Sequence, residues 1–352
     1  MRAANALRRT GDHCKRRVTK AHDFRLGDYM LQYIGKRLLM LIPVLLGISL
    51  VVLILIDITP GDPARMLLGA QATQEQVDEL RDELGLNDSL PVRYVRYLSN
   101  VMQGDFGSSL MTRRPISEEM IQRFPYTLTL ISFSIVLSIV LGIPIGIYAA
   151  THQRTWKDNT AMFLALFCVS MPSFWFALLL IRLFGVQLGW LPIRGVTTWK
   201  GWVLPCIAMA LGLTAIIARQ MRSDLLEVVR QDYITTARAK GLSEGRVIYR
   251  HALKNAMIPV IMVIGGIFGT SLGGSLIAEV IYSIPGLGQY TLTALNNRDY
   301  PAIQSSILIL STMFAVVILL VDVIFALVDP RIRSQYVRKQ KREGERLHEK
   351  KA

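Results

Sequence analysis

Few residues in this chain have both the type and the spacing that catalysis requires. Gly269, Ser271 and Gly273 form the G-x-S-x-G pattern of hydrolase nucleophiles, but that pattern needs a strand before it and a helix after it. Here it lies inside a long apolar run, which predicts a membrane helix. His251 could act as a general base, yet no nucleophile lies on a shared face. The sequence contains no G-x-x-x-x-G-K-[ST] phosphate-binding loop, so we expect this chain not to hydrolyse ATP by itself.

The cysteines indicate neither a metal site nor a disulfide framework. Cys168 and Cys206 lie in apolar runs and Cys14 lies near the N-terminus, so no C-x-x-C pair exists. We therefore predict that the protein is not an enzyme and has no catalytic residue, metal site or cofactor of its own.

Four ionisable residues lie in or at the ends of apolar runs, where charge is costly in a membrane: Asp57, Arg182, Glu279 and Asp322. Each could contact a substrate. Anchoring at the membrane interface or pairing with another side chain is the favoured interpretation for all four. The sequence therefore assigns no substrate-binding residue.

The composition is that of an integral membrane protein. The chain has 352 residues, of which 51% are hydrophobic, a net charge of +14 and a mean hydropathy of +0.36. A helix needs about 20 residues to cross the hydrocarbon core of a bilayer. Six apolar segments meet that length, at 38–58, 126–150, 160–184, 203–221, 259–284 and 305–328. The predicted fold class is therefore an all-α integral membrane protein with six transmembrane helices.

The distribution of Lys and Arg predicts the orientation in the membrane. If the N-terminus is inside, 28 of the 40 basic residues fall in cytoplasmic segments and 10 in outer loops. Because cytoplasmic flanks carry the excess of basic residues, both termini are predicted to be cytoplasmic. Residues 335–352 are interpreted as a basic cytoplasmic tail that faces anionic lipid, in preference to nucleic acid.

Residues 59–124, between the first two spans, are too long for a simple connection and are predicted to form a small outer subdomain. The string P-G-D-P at 60–63 must end the first span. Thr73 and Gln76 have the spacing of a capping box, which predicts a helix that starts there and ends at Gly85.

The segment 232–255 is basic and lies between the fourth and fifth spans. A helix at its start should end at Gly241, because glycine adopts the left-handed conformation at low cost. Leu242 can then fold back on Ala237, and Ser243 can cap a second helix. The segment is thus predicted to form helix, elbow and helix, whereas its charge alone is typical of a loop lying on anionic lipid.

This segment resembles the "EAA" loop of the permease subunits of bacterial ABC importers, in which spaced Ala and Gly residues precede an apolar tail. Thr236, Ala237 and Gly241 hold the expected places, whereas Thr235 stands where the general signature has Glu. The strings DYITTARAKGL and RHALKNAMIPV are similar to the version found in the dipeptide, oligopeptide and nickel subfamily.

The resemblance covers about residues 30–334 and includes PGDP, GDFGSS, YSIPGLGQY, NNRDYPAIQ and the closing DPRIR. It begins abruptly at Met30. Residues 1–29 are therefore expected to be a basic, disordered cytoplasmic extension, and a start codon assigned too far upstream would explain the boundary. The resemblance implies the type I ABC importer permease fold in a bacterial inner membrane, with 222–258 as the cytoplasmic coupling loop.

By the same resemblance, the chain is expected to form half of the translocation pathway for di- or oligopeptides or glutathione-like compounds. The implied partners are a second, paralogous permease, two cytoplasmic ATPase subunits that carry ATP and Mg²⁺, and an extracytoplasmic substrate-binding protein. The string LGWLPIRG at 188–195 is similar to the outer loop of glutathione and dipeptide permeases. A nickel importer of the same family is the alternative, and a stand-alone secondary transporter a weaker one.

In this family the coupling loop docks into a cleft on the ATPase subunit. The resemblance assigns the following residues to it: Asp232, Thr236, Ala237, Gly241, Leu242, Ser243, Arg246, Val247, Ile248, His251 and Asn255. Of these, Leu242, Val247 and Ile248 are expected to be presented together to the ATPase.

Overall fold

The computed structural model of the protein describes residues 34–58, 63–69, 71–83 and 85–328. The terminal segments predicted at 1–29 and 335–352, the turn at 60–62 and the closing DPRIR string lie outside these residues. The side chain of Asp322 also lies outside what is described. The chain divides into two compact units, Met1–Gly47 with Asp322–Ala352, and Ile48–Val321. The second unit holds all the contacts described below.

The described residues are almost entirely helical. The helices are α1 (Ile34–Ile58), α2 (Pro63–Leu68), α3 (Gln74–Glu83), α4 (Leu90–Met102), α5 (Ile116–Thr151), α6 (Trp156–Ser170), α7 (Ser173–Leu180), α8 (Trp199–Val229), α9 (Asp232–Ala239), α10 (Glu244–Arg246), α11 (Leu253–Tyr282), α12 (Leu287–Asn296) and α13 (Tyr300–Val328). Two π-helical segments, Ile181–Gln187 and Val247–Ala252, extend α7 and join α10 to α11. An isolated β-bridge joins Ser108 to Pro115.

Five of the described helices are long and apolar enough to cross a membrane without a break: α1, α5, α8, the continuous helix Glu244–Tyr282, and α13. The pair Trp156–Ser170 and Ser173–Gln187 meets the same test only as a bent pair, with an angle of 99°. Counted as one span, this pair completes the predicted six. The span predicted at 160–184 is bent at Pro172, because proline lacks an N–H and disfavours the helical conformation of the residue before it.

Small residues allow α5 and α8 to pack closely. A Cβ atom built on Gly142 would lie 2.9 Å from Cβ of Ile217, and one on Gly146 would lie 2.6 Å from Cβ of Met221. These distances are shorter than van der Waals contact, so any side chain at either glycine would force the helices apart. Gly142 and Gly146, at four-residue spacing, therefore form a small-residue face on α5.

Gly265, Gly269 and Gly273 of α11 have the same four-residue spacing, but only two of them contact a neighbouring helix. A Cβ on Gly265 would lie 2.2 Å from Val321, and one on Gly269 would lie 2.7 Å from Ile318 of α13. At Gly273 the same position has no described atom within 4 Å. The first two glycines therefore serve packing inside this subunit, whereas the third faces open space.

The described residues of the segment 59–124, predicted to be an outer subdomain, have the local structure that their sequence predicts. The Thr73 N–H donates to Gln76 Oε1 at 3.0 Å, and the Gln76 N–H donates back to the Thr73 hydroxyl at 3.4 Å. Gly85 follows α3 with φ of +65°. Two side-chain contacts tie α4 to α1: the Ser49 and Tyr94 hydroxyls lie 3.1 Å apart, and Arg93 pairs with Asp57.

The predicted orientation can be checked by labelling from each side of the membrane. Ser89, just before α4, and Ser243, in the 232–255 segment, are both exposed. In a background without the native cysteines, we expect Ser89→Cys to react with an impermeant maleimide in intact cells whose outer membrane is open. Ser243→Cys should react only after the inner membrane is permeabilised. Labelling of both from the same side would overturn the topology.

Candidate functional site

The elbow, defined as residues 232–252, comprises α9, the link 240–243, α10 and the second π-helical segment. Its apolar side chains are buried in one cluster with side chains of α5 and α8. The elbow contributes Ile234, Ala237, Val247 and Ala252 to this cluster, and the two spans contribute Ile147, Ala150, Met221 and Leu225, among others. The elbow is therefore anchored to the ends of these two spans.

The turn in the elbow depends on Gly241, which has φ of +77° as predicted. The Gly241 N–H donates to the Arg238 carbonyl at 2.9 Å, and the Lys240 N–H donates to the Thr236 carbonyl at 3.1 Å. These bonds satisfy two of the carbonyls in the last turn of α9. A residue with a side chain would adopt this conformation only with strain.

After the turn, the chain enters the second helix as expected. Leu242 packs against the same apolar cluster as Ala237. Ser243 occupies the position before α10 with an extended backbone, but its hydroxyl forms no capping hydrogen bond. The predicted order of helix, elbow and helix is thus observed, without the predicted cap.

The outward side of the elbow region is mainly polar, and it also exposes the aromatic rings of Tyr233 and Tyr249. The predicted coupling residues that are exposed are Asp232, Thr236, Gly241, Ser243, Arg246 and Asn255. Leu242, Ile248 and His251 are half-buried. The expectation that Val247 is presented to a partner is wrong, because its side chain is completely buried in the core of this subunit.

Two side-chain interactions brace the elbow on its exposed side. Arg238 Nε lies 2.7 Å from Glu244 Oε1, which joins α9 to α10 across the link. Asn255 Nδ2 donates to the Tyr233 hydroxyl at 2.7 Å and joins α11 to α9. Exposed ion pairs contribute about 1 kcal/mol or less. The buried apolar anchors therefore supply most of the stability of the elbow.

A buried ion pair joins α6 to α8, the helix that leads into the elbow. Asp158, in the first turn of α6, is 1% exposed and accepts two hydrogen bonds from Arg222, at 2.6 and 2.7 Å. The Arg154 N–H donates a further bond at 3.2 Å. The two partners are 64 residues apart, so no local spacing in the sequence indicated that they would meet.

Glu279 is completely buried near the end of α11. Its carboxylate accepts hydrogen bonds from the Thr127 hydroxyl at 2.7 Å, the Ser275 hydroxyl at 3.2 Å and the Gln289 N–H at 2.9 Å. The left-handed backbone at Ser283 turns the chain so that α12 lies against this carboxylate. Glu279 thus fastens α5, α11 and α12 together, in agreement with the structural interpretation favoured from sequence.

The other ionisable residues at span ends have simpler surroundings. Asp57 forms an ion pair with Arg93. This contact agrees with the structural role favoured for Asp57 from sequence. Arg182 is exposed within the π-helical extension of α7.

The described part of the chain contains no group of three His, Cys, Asp or Glu side chains that could hold a metal ion. Ser271 lies in the middle of α11, far from any strand-to-helix turn. The G-x-S-x-G pattern is therefore part of a helix, as expected, and the elbow remains the best-defined candidate site.

Two family models match this chain. Residues 142–334 match the model described as binding-protein-dependent transport system inner membrane component. Residues 30–131 match the model for the N-terminal part of such membrane components. Together the two matches extend from residue 30 to residue 334, with 132–141 between them, which agrees with the range that the sequence motifs indicated.

Curated relatives match over nearly their whole length. The chain is 42% identical over 304 residues to the glutathione transport system permease protein GsiC of Salmonella paratyphi A, and 41% identical over 304 residues to that of Escherichia coli K12. Each match covers 86% of this chain and 99% of the relative.

Among solved structures, the methionine ABC transporter MetNI in an inward-facing conformation matches with a TM-score of 0.53 at 18% identity. The match covers 60% of this chain and 96% of the other. This similarity supports the type I permease fold. The chain belongs to the family of inner membrane components of binding-protein-dependent transport systems, and it is a multi-pass permease subunit of an ABC importer.

Proposed function

We propose that this chain is one of two paralogous permease subunits that together import short peptides of the glutathione type. The observation that carries the proposal is the anchored elbow, whose apolar side is tied to α5 and α8 while its polar side is exposed. The proposed substrate class is inferred from the similarity of the chain to glutathione transport permeases.

The elbow is the proposed contact with an ATPase subunit. Its exposed residues form a mainly polar surface that includes two tyrosines, and the buried side chains beneath it connect that surface to two spans. A displacement of the elbow would therefore move the cytoplasmic ends of α5 and α8. In this proposal ATP and Mg²⁺ are bound by the ATPase, and this chain binds no cofactor.

Open helix faces support pairing with a second, different permease. On α11, Gly266, Gly273 and Gly274 have no described atom within 4 Å of a Cβ position. On α6, Phe163 and Phe167 are 67% and 51% exposed. Small residues allow helices to approach closely in a membrane, so these faces are suited to contact with a paralogous subunit.

Uptake by cells that lack their own glutathione importer tests this function. We expect that cells expressing the chain with its partner permease, ATPases and binding protein take up radiolabelled glutathione, and that omission of this chain alone abolishes uptake. Unlabelled dipeptides should compete, because the proposed pathway accepts short peptides. Uptake of ⁶³Ni²⁺ with no uptake of glutathione would instead establish the nickel alternative.

A further inference from the structure

A cavity of about 240 Å³ lies between the outer subdomain and the start of α13. Apolar side chains of α1 form part of its wall. Its polar side chains come mainly from α4 and from the first two turns of α13, and they include Arg93, Arg96, Tyr97, Asn100, Tyr300 and Gln304. Neither the elbow nor the networks around Asp158 and Glu279 contribute to this cavity.

Three polar groups that line the cavity are buried without a hydrogen-bond partner among the described residues. These are the hydroxyl of Tyr97 on α4, and the hydroxyl of Tyr300 and the side-chain nitrogen of Gln304 on α13. Tyr300 and Gln304 are each 8% exposed. A buried polar group left unpaired costs about 1–3 kcal/mol. Two such groups on successive turns of α13 indicate that the natural content of the cavity supplies their partners.

Most of the polar side chains in the lining can donate a hydrogen bond. The amide nitrogen of Gln304 only donates. Burial raises the pKa of Tyr97 to about 12, so this hydroxyl also keeps its proton. Arg93 and Arg96 add positive charge, although each already pairs with an aspartate. The carboxylate that lines the cavity, Asp105, already accepts a hydrogen bond from a backbone N–H at 2.8 Å.

The size of the cavity limits what can enter. Pockets for whole small molecules are typically about 300–1,000 Å³, so 240 Å³ suits one end group or one side chain. A group that accepts several hydrogen bonds and carries negative charge matches the donors and the two guanidinium groups. A carboxylate has both properties.

We propose that this cavity receives an aspartate or glutamate side chain of the extracytoplasmic binding protein. The proposal rests on the proposed function, which supplies that partner, and on the outward orientation of α4. Gln304 and Tyr300 then bind the carboxylate, and Arg96 and Asn100 form the exposed rim of the cavity.

Gln304→Leu and Tyr300→Phe test the proposal, because each removes a donor with little change in shape. In the complete transporter in nanodiscs, each should weaken binding of the substrate-loaded binding protein about tenfold or more, mainly through faster dissociation. Neither should lower the thermal stability of the free transporter, because the group removed has no partner there. Tyr290→Phe is the matched control: its hydroxyl is also buried and unpaired, but it does not line the cavity.

The residue of the binding protein that enters the cavity can be identified by exchanging each Asp and Glu on its docking face for Asn or Gln. One exchange should reproduce the loss of affinity, and combining it with Gln304→Leu should add little. If Gln304→Leu and Tyr300→Phe bind like the wild type, the cavity holds only water and the inference is wrong. If the wild-type transporter itself does not bind the binding protein, the proposed function fails with it.

Discussion

Replacement of Gly241 by valine is expected to reduce substrate uptake about tenfold while the amount of assembled transporter stays unchanged. Gly241 has φ of +77°, a conformation that costs a residue with a side chain about 1–2 kcal/mol and a β-branched residue more. A free-energy change of about 1.4 kcal/mol corresponds to a factor of ten in an equilibrium. The population of elbows in the docking geometry should fall by about that factor.

The strain should act on the link and not on the spans. No described atom lies within 4 Å of a Cβ built at Gly241, so valine meets no steric clash there. The buried anchors Ile234 and Val247 hold the two sides of the elbow in place. The link between them should therefore distort, which tilts the exposed residues against the ATPase. ATP hydrolysis stimulated by the loaded binding protein should fall in parallel with uptake in reconstituted transporter.

Two variants separate backbone strain from the size of the side chain. Asn tolerates the left-handed conformation better than other residues with side chains, so Gly241→Asn should retain most activity. Gly245→Val places the same valine four residues later, at a helical and exposed glycine that also has open space. It should lower uptake less than Gly241→Val does, because it adds the same side chain to the elbow without straining the backbone. Normal stimulated hydrolysis and uptake in Gly241→Val would show that the elbow merely rests on lipid.

Features that depend on neighbouring residues could be predicted from the sequence. The capping box at Thr73 and Gln76 and the left-handed turn at Gly241 follow from residues a few positions apart, and both are observed. The spans could also be located from the sequence, because each is a continuous run of apolar residues of sufficient length. The break before Pro172 also has a local cause, but the apolar run around it concealed the bend.

Features that depend on which helices meet could not be predicted in this way. Val247 has the same apolar character as the half-buried Ile248, and only the packing of the elbow on α5 and α8 decides that it is buried. Asp158 and Arg222 lie on different helices and have no common motif. The cavity beside Gln304 likewise requires α13 to lie against the outer subdomain. Sequence thus indicated the elbow as a local shape, but not the contacts that anchor it.

Removal of Asp158 is expected to give a large loss of stability. Asp158→Ala leaves Arg222 without its carboxylate partner at a site where the arginine side chain is only 27% exposed. Breaking a buried pair by removing one partner costs about 3–5 kcal/mol in free energy of unfolding, and the partial exposure of Arg222 favours the lower end. The melting temperature of the purified transporter and the yield of assembled complex should both fall.

The double variant Asp158→Leu with Arg222→Met distinguishes loss of the pair from the isolation of one charge. Replacing both partners by apolar side chains of similar volume is often neutral, so the double variant should recover most of the stability that Asp158→Ala loses. Glu244→Ala is the matched control on the cytoplasmic side, since it breaks an ion pair whose side chains are 39% and 62% exposed. It should change stability by about 1 kcal/mol or less. A double variant as unstable as Asp158→Ala would mean that the pair itself joins α6 to α8. In that case α8 should also hold the elbow less firmly, and stimulated ATP hydrolysis should fall in the double variant even in the fraction that assembles.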